Sequence, residues 1–282
     1  ILNGSESEPY LSAEHRTMVE RAASVLEGAR IAARLLRPER IVVGIEANKP
    51  DAIAAMERAI RERGLPFQVA RLRVKYPQGD ERQLIRSVTG REVPSGGSAA
   101  DVSSQVIAVS TAAAIHDAVV YRQPLIERVV TVSGGAVARP SNMKVRMGTP
   151  IGALIEECGG FSASPLRVVV GGPLRGHTVT DMSTPVTKTT TGIVALTARE
   201  VRMAPLAPCI QCGRCVEACP AGLNPTRLYK LIDHNDIGSA VDEGLFDCTE
   251  CGACGYICPS RIPLVQGLRV GKTRAGGREP RE

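Results

Sequence analysis

Tryptophan is absent from these 282 residues, and five Tyr and three Phe are the whole aromatic complement. The core must therefore be built from Ala, Val, Ile and Leu. A concentrated stripe of one charge is missing too: residues 1–200 carry 25 basic and 20 acidic side chains, and residues 201–282 carry ten and nine. A net charge of +6 spread this way, without interleaved aromatics, excludes a nucleic-acid footprint. No run of about 18 uninterrupted apolar residues occurs, which excludes a transmembrane helix. The opening stretch ILNGSESEPYL has neither the charged nor the apolar region of a signal peptide. Any attachment to a membrane is expected to run through partners. Composition does not suggest disorder, since 43% hydrophobic and 23% charged residues are ordinary globular values, and the length allows two or three compact domains.

Cysteine is almost missing from the first 200 positions, where Cys158 stands alone. The other eight fall in two runs, CIQCGRCVEACP at 209–220 and CTECGACGYICP at 248–259, each spaced C-x2-C-x2-C-x3-C-P. Disulfide frameworks are not clustered like this, so a reducing, metal-bearing compartment is implied. Zinc sites use thiolates in two pairs, whereas these runs are triplets with a distant fourth. The spacing is the bacterial ferredoxin pattern, in which the fourth Cys of each run ligates the other cluster when two runs are present. On that pattern Cys209, Cys212, Cys215 and Cys258 hold one 4Fe-4S cluster, and Cys248, Cys251, Cys254 and Cys219 hold the second. Gly213, Gly252 and Gly255 allow the backbone to approach closely, and Pro220 and Pro259 redirect the chain after each run. One cluster is a store, while two make a wire. Cys158, at a helix end beside Gly159, reads as a small buried hydrophobe rather than a ninth ligand.

Between the runs, Asn224 is placed to cap a helix, Pro225 to occupy its first position, and Leu228, Leu231 and Ile232 share one face. Upstream, Ile41–Ile45 reads as an apolar strand, Pro50 to Gly64 as a helix and Phe67–Val74 as a second strand, which together form a βαβ unit. Met18, Ala22, Val25, Ala29, Ala33 and Leu36 recur at helical spacing before it. A polar, Gly-rich loop then leads into a helix, and an Ala-rich helix covers 111–120. This layout suits a ligand at the strand ends. Segment 126–160 predicts a strand, a Gly-Gly turn, a second strand, and a helix with Thr149 as cap, Pro150 at its first position and Gly159 at its end. The stretches LRVVVGGPLRGHTV and PVTKTTTGIVAL read as strands returning the chain to the first domain. His177, in the loop between them, is assigned no role.

Taken in order, NGSESEPYL at 3–11, GIEANKPDAI at 44–53, KYPQGDERQLI at 75–85, TGREVPSGG at 89–97, RVVTVSGGAVARPSN at 128–142 and the two cysteine runs resemble the C subunit of the Rnf electron-transport complex. The likeness covers nearly the whole chain. It extends more weakly to the NADH-binding flavoprotein subunit of respiratory complex I and to the cobalamin reductase of propanediol utilisation. In these families flavin mononucleotide (FMN) lies against the segment matching NGSESEP. The resemblance thus implies Asn3, Glu6 and Glu8 as flavin or nicotinamide contacts, with Lys75, Gly79 and Glu81 lining the same cleft. Glu6 and Glu8 alternate along what reads as an extended segment, so both carboxylates are expected to point one way, toward a ribose or a nicotinamide amide. Ser7 stands where the family usually has Cys, and Ala108 where it has Asn. The family's Gly-rich loop lies upstream of the matching segment, whereas this chain begins at Ile1. The chain as given is therefore expected to bind FMN and NAD(H) poorly.

The expected architecture is an α/β domain like part of the complex-I flavoprotein over 1–124, a β-grasp insert over 125–165, return strands over 166–203, a helical two-cluster ferredoxin-type domain over 204–270 and a basic tail over 271–282 whose Gly-Gly-Arg-Glu-Pro end reads as disordered. The resemblance implies an electron-transfer subunit of an ion-translocating NADH/ferredoxin oxidoreductase. It would sit peripherally on the cytoplasmic side of the membrane and work with other subunits of the complex. The alternatives are a cobalamin reductase, or an electron-transfer and scaffold module without flavin.

Overall fold

A computed structural model describes residues 1–201 and 205–276. They form two compact units: residues 1–90 with 104–201, and residues 91–103 with 205–276.

The first unit opens with β1 (Leu2–Asn3), a strand short enough to serve mainly as an anchor for the loop after it. Helices α1 (Ala13–Glu20) and α2 (Ala22–Leu36) follow. The apolar spacing predicts one helix here. The chain instead turns at Arg21, with φ −128° and ψ 27°, where the guanidinium reaches Asp117 at 2.7 Å. The βαβ unit forms as expected, with β2 (Ile41–Glu46), α3 (Pro50–Glu62) and β3 (Phe67–Leu72). Gly64 takes the left-handed conformation, φ 60°, that lets the chain leave the helix. Then come α4 (Glu81–Thr89), β4 (Ile107–Ala108) and α5 (Val109–Val120). The four strands are all parallel, in the order β3-β2-β1-β4. Parallel strands need both faces covered, which explains the apolar run Ile41–Ile45. Met18, Val25, Leu26, Val43, Ile45 and Met56 fill this core, and Phe67 is its single aromatic. Helix α2 crosses α5 so closely that a Cβ at Gly28 would stand 1.7 Å from the Ala112 carbonyl oxygen.

The same unit holds a second sheet. Its elements are β5 (Glu127–Ser133), β6 (Ser141–Arg146), α6 (Ile151–Glu157), β7 (Arg167–Val170), β8 (His177–Val179) and β9 (Gly192–Leu196). The strand order is β6-β5-β9-β7-β8, with β5 and β9 parallel and the other neighbours antiparallel, a β-grasp arrangement. The strands β7 to β9, expected as strands returning the chain to the first domain, complete this sheet. Their apolar residues Val168, Val170, Ile193 and Ala195 pack with Val130 and Val132, so their partner face lies here. Pro150 precedes α6 as its cap residue rather than occupying its first position, its ψ of 140° being extended rather than helical, and Ile151 N–H donates to the Thr184 carbonyl at 2.9 Å. Cys158 is buried in this core, as its sequence context implies.

The second unit is helical: α7 (Arg214–Glu217), α8 (Pro225–Asp233), α9 (Ile237–Asp242), α10 (Ala253–Ile257) and α11 (Leu264–Arg274). Asn224 caps α8 as expected, its side chain accepting from Arg227 N–H at 3.1 Å, and Pro225 takes the first position. Leu228, Ile232, Leu245, Leu264 and Leu268 form the core. Segment 91–103 joins this unit through Ser95 and Gly96, which hydrogen-bond Asp247 at 2.5 and 3.3 Å. The first residues of the tail continue α11, where Lys272, like Arg269 before it, pairs with Glu250. Residues 277–282 of the expected tail, and the 203/204 boundary, lie outside the described residues. Among the described residues no helix is long and apolar enough to cross a membrane.

Candidate nucleotide cleft and cluster cavities

All four parallel strands end at one edge, and each delivers a part of one cleft. Asn3 closes β1, Glu46 closes β2, the loop after β3 carries Tyr76 to Asp80, and Ala108 closes β4. Ligands bind at the carboxyl ends of such strands. A cleft of about 490 Å³, open to solvent, is lined there by Asn3, Glu6, Glu8, Gly79 and Ala108. The β-grasp sheet supplies the facing wall through Gly172, Arg175, His177 and threonines between 184 and 191. Lys75 and Glu81, also proposed from the sequence, are exposed and are not among the lining residues.

The carboxylates of Glu6 and Glu8 do not point one way. Glu6 has φ 43°, so the segment is bent rather than extended, and alternation along a strand does not apply. Both Glu6 oxygens accept from the first turn of α1, from Glu14 N–H at 2.8 Å and His15 N–H at 2.9 Å. Burial pushes its carboxyl up to about 7, against the pull of those two hydrogen bonds. Glu8 turns to the β-grasp side, where Oε1 accepts from Arg175 N–H at 2.7 Å. Its Oε2 is buried with no partner in the chain. An acceptor in this position fits a ribose hydroxyl or a carboxamide N–H₂. Asn3 acts within the fold: its amide donates to the Gly79 carbonyl at 2.8 Å and its oxygen accepts from Ser5 N–H at 3.2 Å.

The bent segment rests on a buried ion pair that the sequence reading missed. Lys49, 7% exposed, holds Glu46, 2% exposed, at 3.1 Å and donates to the Ser5 carbonyl at 2.7 Å. Across the cleft, Arg175 reaches Asp80 at 2.6 Å, and Asp80 also caps α4. Both of the family departures lie here: Ser7 Oγ accepts from Gly79 N–H at 3.1 Å, and Ala108 lies at the start of α5. Sequence spacing carried no signal for the Arg175–Asp80 pair, whose members are 95 positions apart.

In the second unit the two cysteine runs fold alike. Gly213 and Gly252 cap α7 and α10 with φ 74° and 83°. Gln211 and Glu250, two residues after the first Cys of each run, take φ 56° and 55°. Each donates its N–H to that Cys Sγ at 3.4 Å. The eight thiols divide between two cavities. One is lined by Cys209, Cys212, Cys215 and Cys258; the other by Cys219, Cys248, Cys251 and Cys254. Among the described residues no three His, Cys, Asp or Glu side chains converge closely enough to hold a single metal ion. A quartet spread around a cavity suits a cube with one thiolate on each corner iron. Burial, followed by repulsion from the Cys248 and Cys251 sulfurs, pushes the Cys254 thiol up to about 12. Iron placed among such sulfurs supplies the positive charge that holds them as thiolates.

A parallel α/β domain with a cleft at its strand ends, a β-grasp sheet facing that cleft and a helical module with two cysteine quartets define a class of flavoprotein-like iron–sulfur electron-transfer chains. Family comparison agrees: a Nuo51 FMN-binding domain matches residues 1–117, an SLBB domain 129–177 and a 4Fe-4S dicluster domain 208–262. The fold is also that of an NAD+-reducing [NiFe]-hydrogenase chain, at TM-score 0.64 and 15% identity over 97% of this chain and 56% of that one. Over its whole length the chain is 44% identical to the C subunit of the ion-translocating oxidoreductase complex of Rhodobacter capsulatus, covering 54% of that protein. It is 45% identical over 99% of its length to the C subunit of the proton-translocating ferredoxin:NAD(+) oxidoreductase complex of Clostridium ljungdahlii, covering 62%. The Na(+)-translocating counterpart of Acetobacterium woodii is 41% identical over 96% of this chain, which covers 61% of it. The chain is similar to these C subunits over nearly its whole length, and it spans from 54% to 62% of the length of the three relatives. Their names support the Rnf reading rather than the cobalamin reductase alternative.

Proposed function

We propose that this chain is the electron-transfer part of the C subunit of an ion-translocating ferredoxin:NAD+ oxidoreductase, passing electrons between NAD(H) and partner subunits. The observation that carries this reading is the division of the eight thiols into two quartets, each taking its fourth member from the other run. Two clusters held by crossed ligands lie next to one another in one small core. When bound, FMN would exchange a hydride for single electrons and the clusters would carry them one at a time. The chain's own residues give that chemistry its place. Glu8 offers an unpartnered carboxylate oxygen to the dinucleotide, Glu6 fixes the first turn of α1, and Asn3 ties β1 to the Gly79 loop. Lys75 and Glu81 flank that loop at its two ends, outside the cleft lining, where their side chains would meet the outer part of a nucleotide. The protein would lie on the cytoplasmic face of the membrane, held there by the membrane-embedded members of the complex.

Cys219→Ser tests the ligand division. It should damage the cluster held by Cys248, Cys251 and Cys254 and spare the one whose ligands surround Cys219 in sequence. Paramagnetic resonance of the two reduced clusters reads this out. Loss of the cluster held by Cys209, Cys212 and Cys215 instead would refute the crossed set.

A further inference from the structure

The two cysteine runs share spacing and backbone, but they differ at the residue after the first Cys. In the first run this is Ile210, 66% exposed. In the second it is Thr249, which lines the cavity with Cys219, Cys248, Cys251 and Cys254. The Thr249 hydroxyl oxygen is buried and has no hydrogen-bond partner in the chain. Buried hydroxyls are nearly always paired, so an orphan at the wall of a ligand cavity points to an acceptor inside it. The inorganic sulfides and thiolates of a cluster are acceptors only, and a threonine hydroxyl carries a proton to give.

We propose that Thr249 donates a hydrogen bond to a sulfur of the cluster held by the second run and thereby raises that cluster's reduction potential. The inference rests on the placement of the two clusters argued above. Reduction adds one electron and breaks no bond, so the cluster gains one negative charge. A donor aimed at its sulfur stabilises the more negative state and makes reduction easier. At the equivalent position of the first run Ile210 also lines its cavity but brings no donor, and the hydroxyl beside that quartet, Thr226, lies 3.9 Å from Cys215 Sγ and already donates to Asn224 Oδ1 at 3.0 Å. Neighbouring groups act equally on wild type and variant: Lys272 donates to the Cys248 carbonyl at 2.6 Å and pairs with Glu250 at 3.0 Å, and Glu250 N–H donates to Cys248 Sγ at 3.4 Å.

The test is potentiometry of the full-length protein followed by paramagnetic resonance, with the second cluster's signal identified through Cys219→Ser. Thr249→Val keeps the shape and removes the donor. It should change the ratio of oxidised to reduced second cluster at a fixed ambient potential by about tenfold toward oxidised, or about 59 mV for one electron. Thr249→Ser should stay near wild type, and the first cluster should not move in either variant. An unchanged second-cluster midpoint in Thr249→Val would overturn the proposal, as would an equal shift of both clusters. If Val disturbs assembly, Thr249→Ala removes the same donor without added bulk, and a midpoint equal to that of Thr249→Ser would overturn it in the same way. Iron content near eight per chain in wild type checks the presence of both clusters separately. A low value there counts against the proposed function and not against Thr249 alone.

Discussion

Lys49→Met would remove the support beneath the nucleotide cleft, and its cost follows from burial. Lys49 and Glu46 are 7% and 2% exposed and sit 3.1 Å apart. Taking one partner from such a pair leaves a buried charge uncompensated, at a cost of about 3–5 kcal/mol. The substitution also strips the donor from the Ser5 carbonyl, bonded at 2.7 Å, so the Asn3–Glu8 segment loses its anchor. An exposed pair behaves differently: Arg71 and Glu57 are 66% and 34% exposed, and Arg71→Ala should cost under about 1 kcal/mol. Hydrogen exchange of the β2 amides, read by mass spectrometry, reports the opening free energy of this sheet. At about 1.4 kcal/mol per factor of ten, Lys49→Met should speed that exchange by about two to four orders of magnitude. The double change Lys49→Met with Glu46→Gln should recover much of the loss, because neither partner is then left charged. Exchange in the single variant within tenfold of wild type would refute the assignment of Lys49 as the support of this loop.

Glu6 supplies a pH dependence. Burial holds its carboxyl at about 7 against an ordinary 4.5, so the folded unit keeps a proton that the unfolded chain releases between those values. Its contribution to stability is full below about 4.5 and is lost as pH rises through about 7, amounting to up to about 3 kcal/mol. Urea midpoints of the first unit at pH 5 and pH 8 should therefore differ less in Glu6→Gln than in wild type, and an undiminished difference would count against the buried carboxyl. Arg175→Ala should cost about 1–2 kcal/mol: Asp80 is buried, but Arg175 is 38% exposed and partly screened. Exchange in residues 171–179 should quicken about tenfold, and Arg175→Lys, which keeps the charge, should restore most of the protection. Anaerobically purified chain should carry about eight irons and eight sulfides, as two 4Fe-4S cubes require, and four irons or stoichiometric zinc would exclude the paired cubes.

The sequence made legible what short-range chemistry encodes. Asn224 and Pro225 announced α8, the apolar run Ile41–Ile45 announced β2, and the cysteine spacing announced the second unit. Long-range partners were illegible. Nothing in the order of residues says that Glu8 meets the backbone of Arg175, that Asp80 meets its guanidinium, or that Lys49 carries the Ser5 carbonyl. Glu6 and Glu8 were misread for a physical reason: the alternation rule holds only while the backbone stays extended, and φ 43° at Glu6 breaks it. That the strands β7 to β9 complete the β-grasp sheet was likewise illegible, because apolar strands of similar composition suit either sheet.

Repetition and divergence in the second unit have separate causes. Ligand spacing is fixed by the geometry of the cube, so both runs keep three cysteines, a left-handed glycine and a left-handed residue two places after the first Cys. The residues around them are free to differ, and they do. Cys212 is exposed, whereas Cys251 is 7% exposed. Burial disfavours the added negative charge of a reduced cluster and lowers its potential. On that ground alone the cluster nearer solvent would be the easier to reduce. The second cavity also holds features that act in the opposite sense, the orphan hydroxyl of Thr249 and the Lys272 ammonium on the Cys248 carbonyl. In the proposed crossed arrangement the ligands keep two clusters close enough for an electron to pass, and the unshared surroundings set which of them holds it. The potential step along this wire is therefore set at residues outside the cysteine motif, which is why the motif predicts the clusters and not the direction of flow.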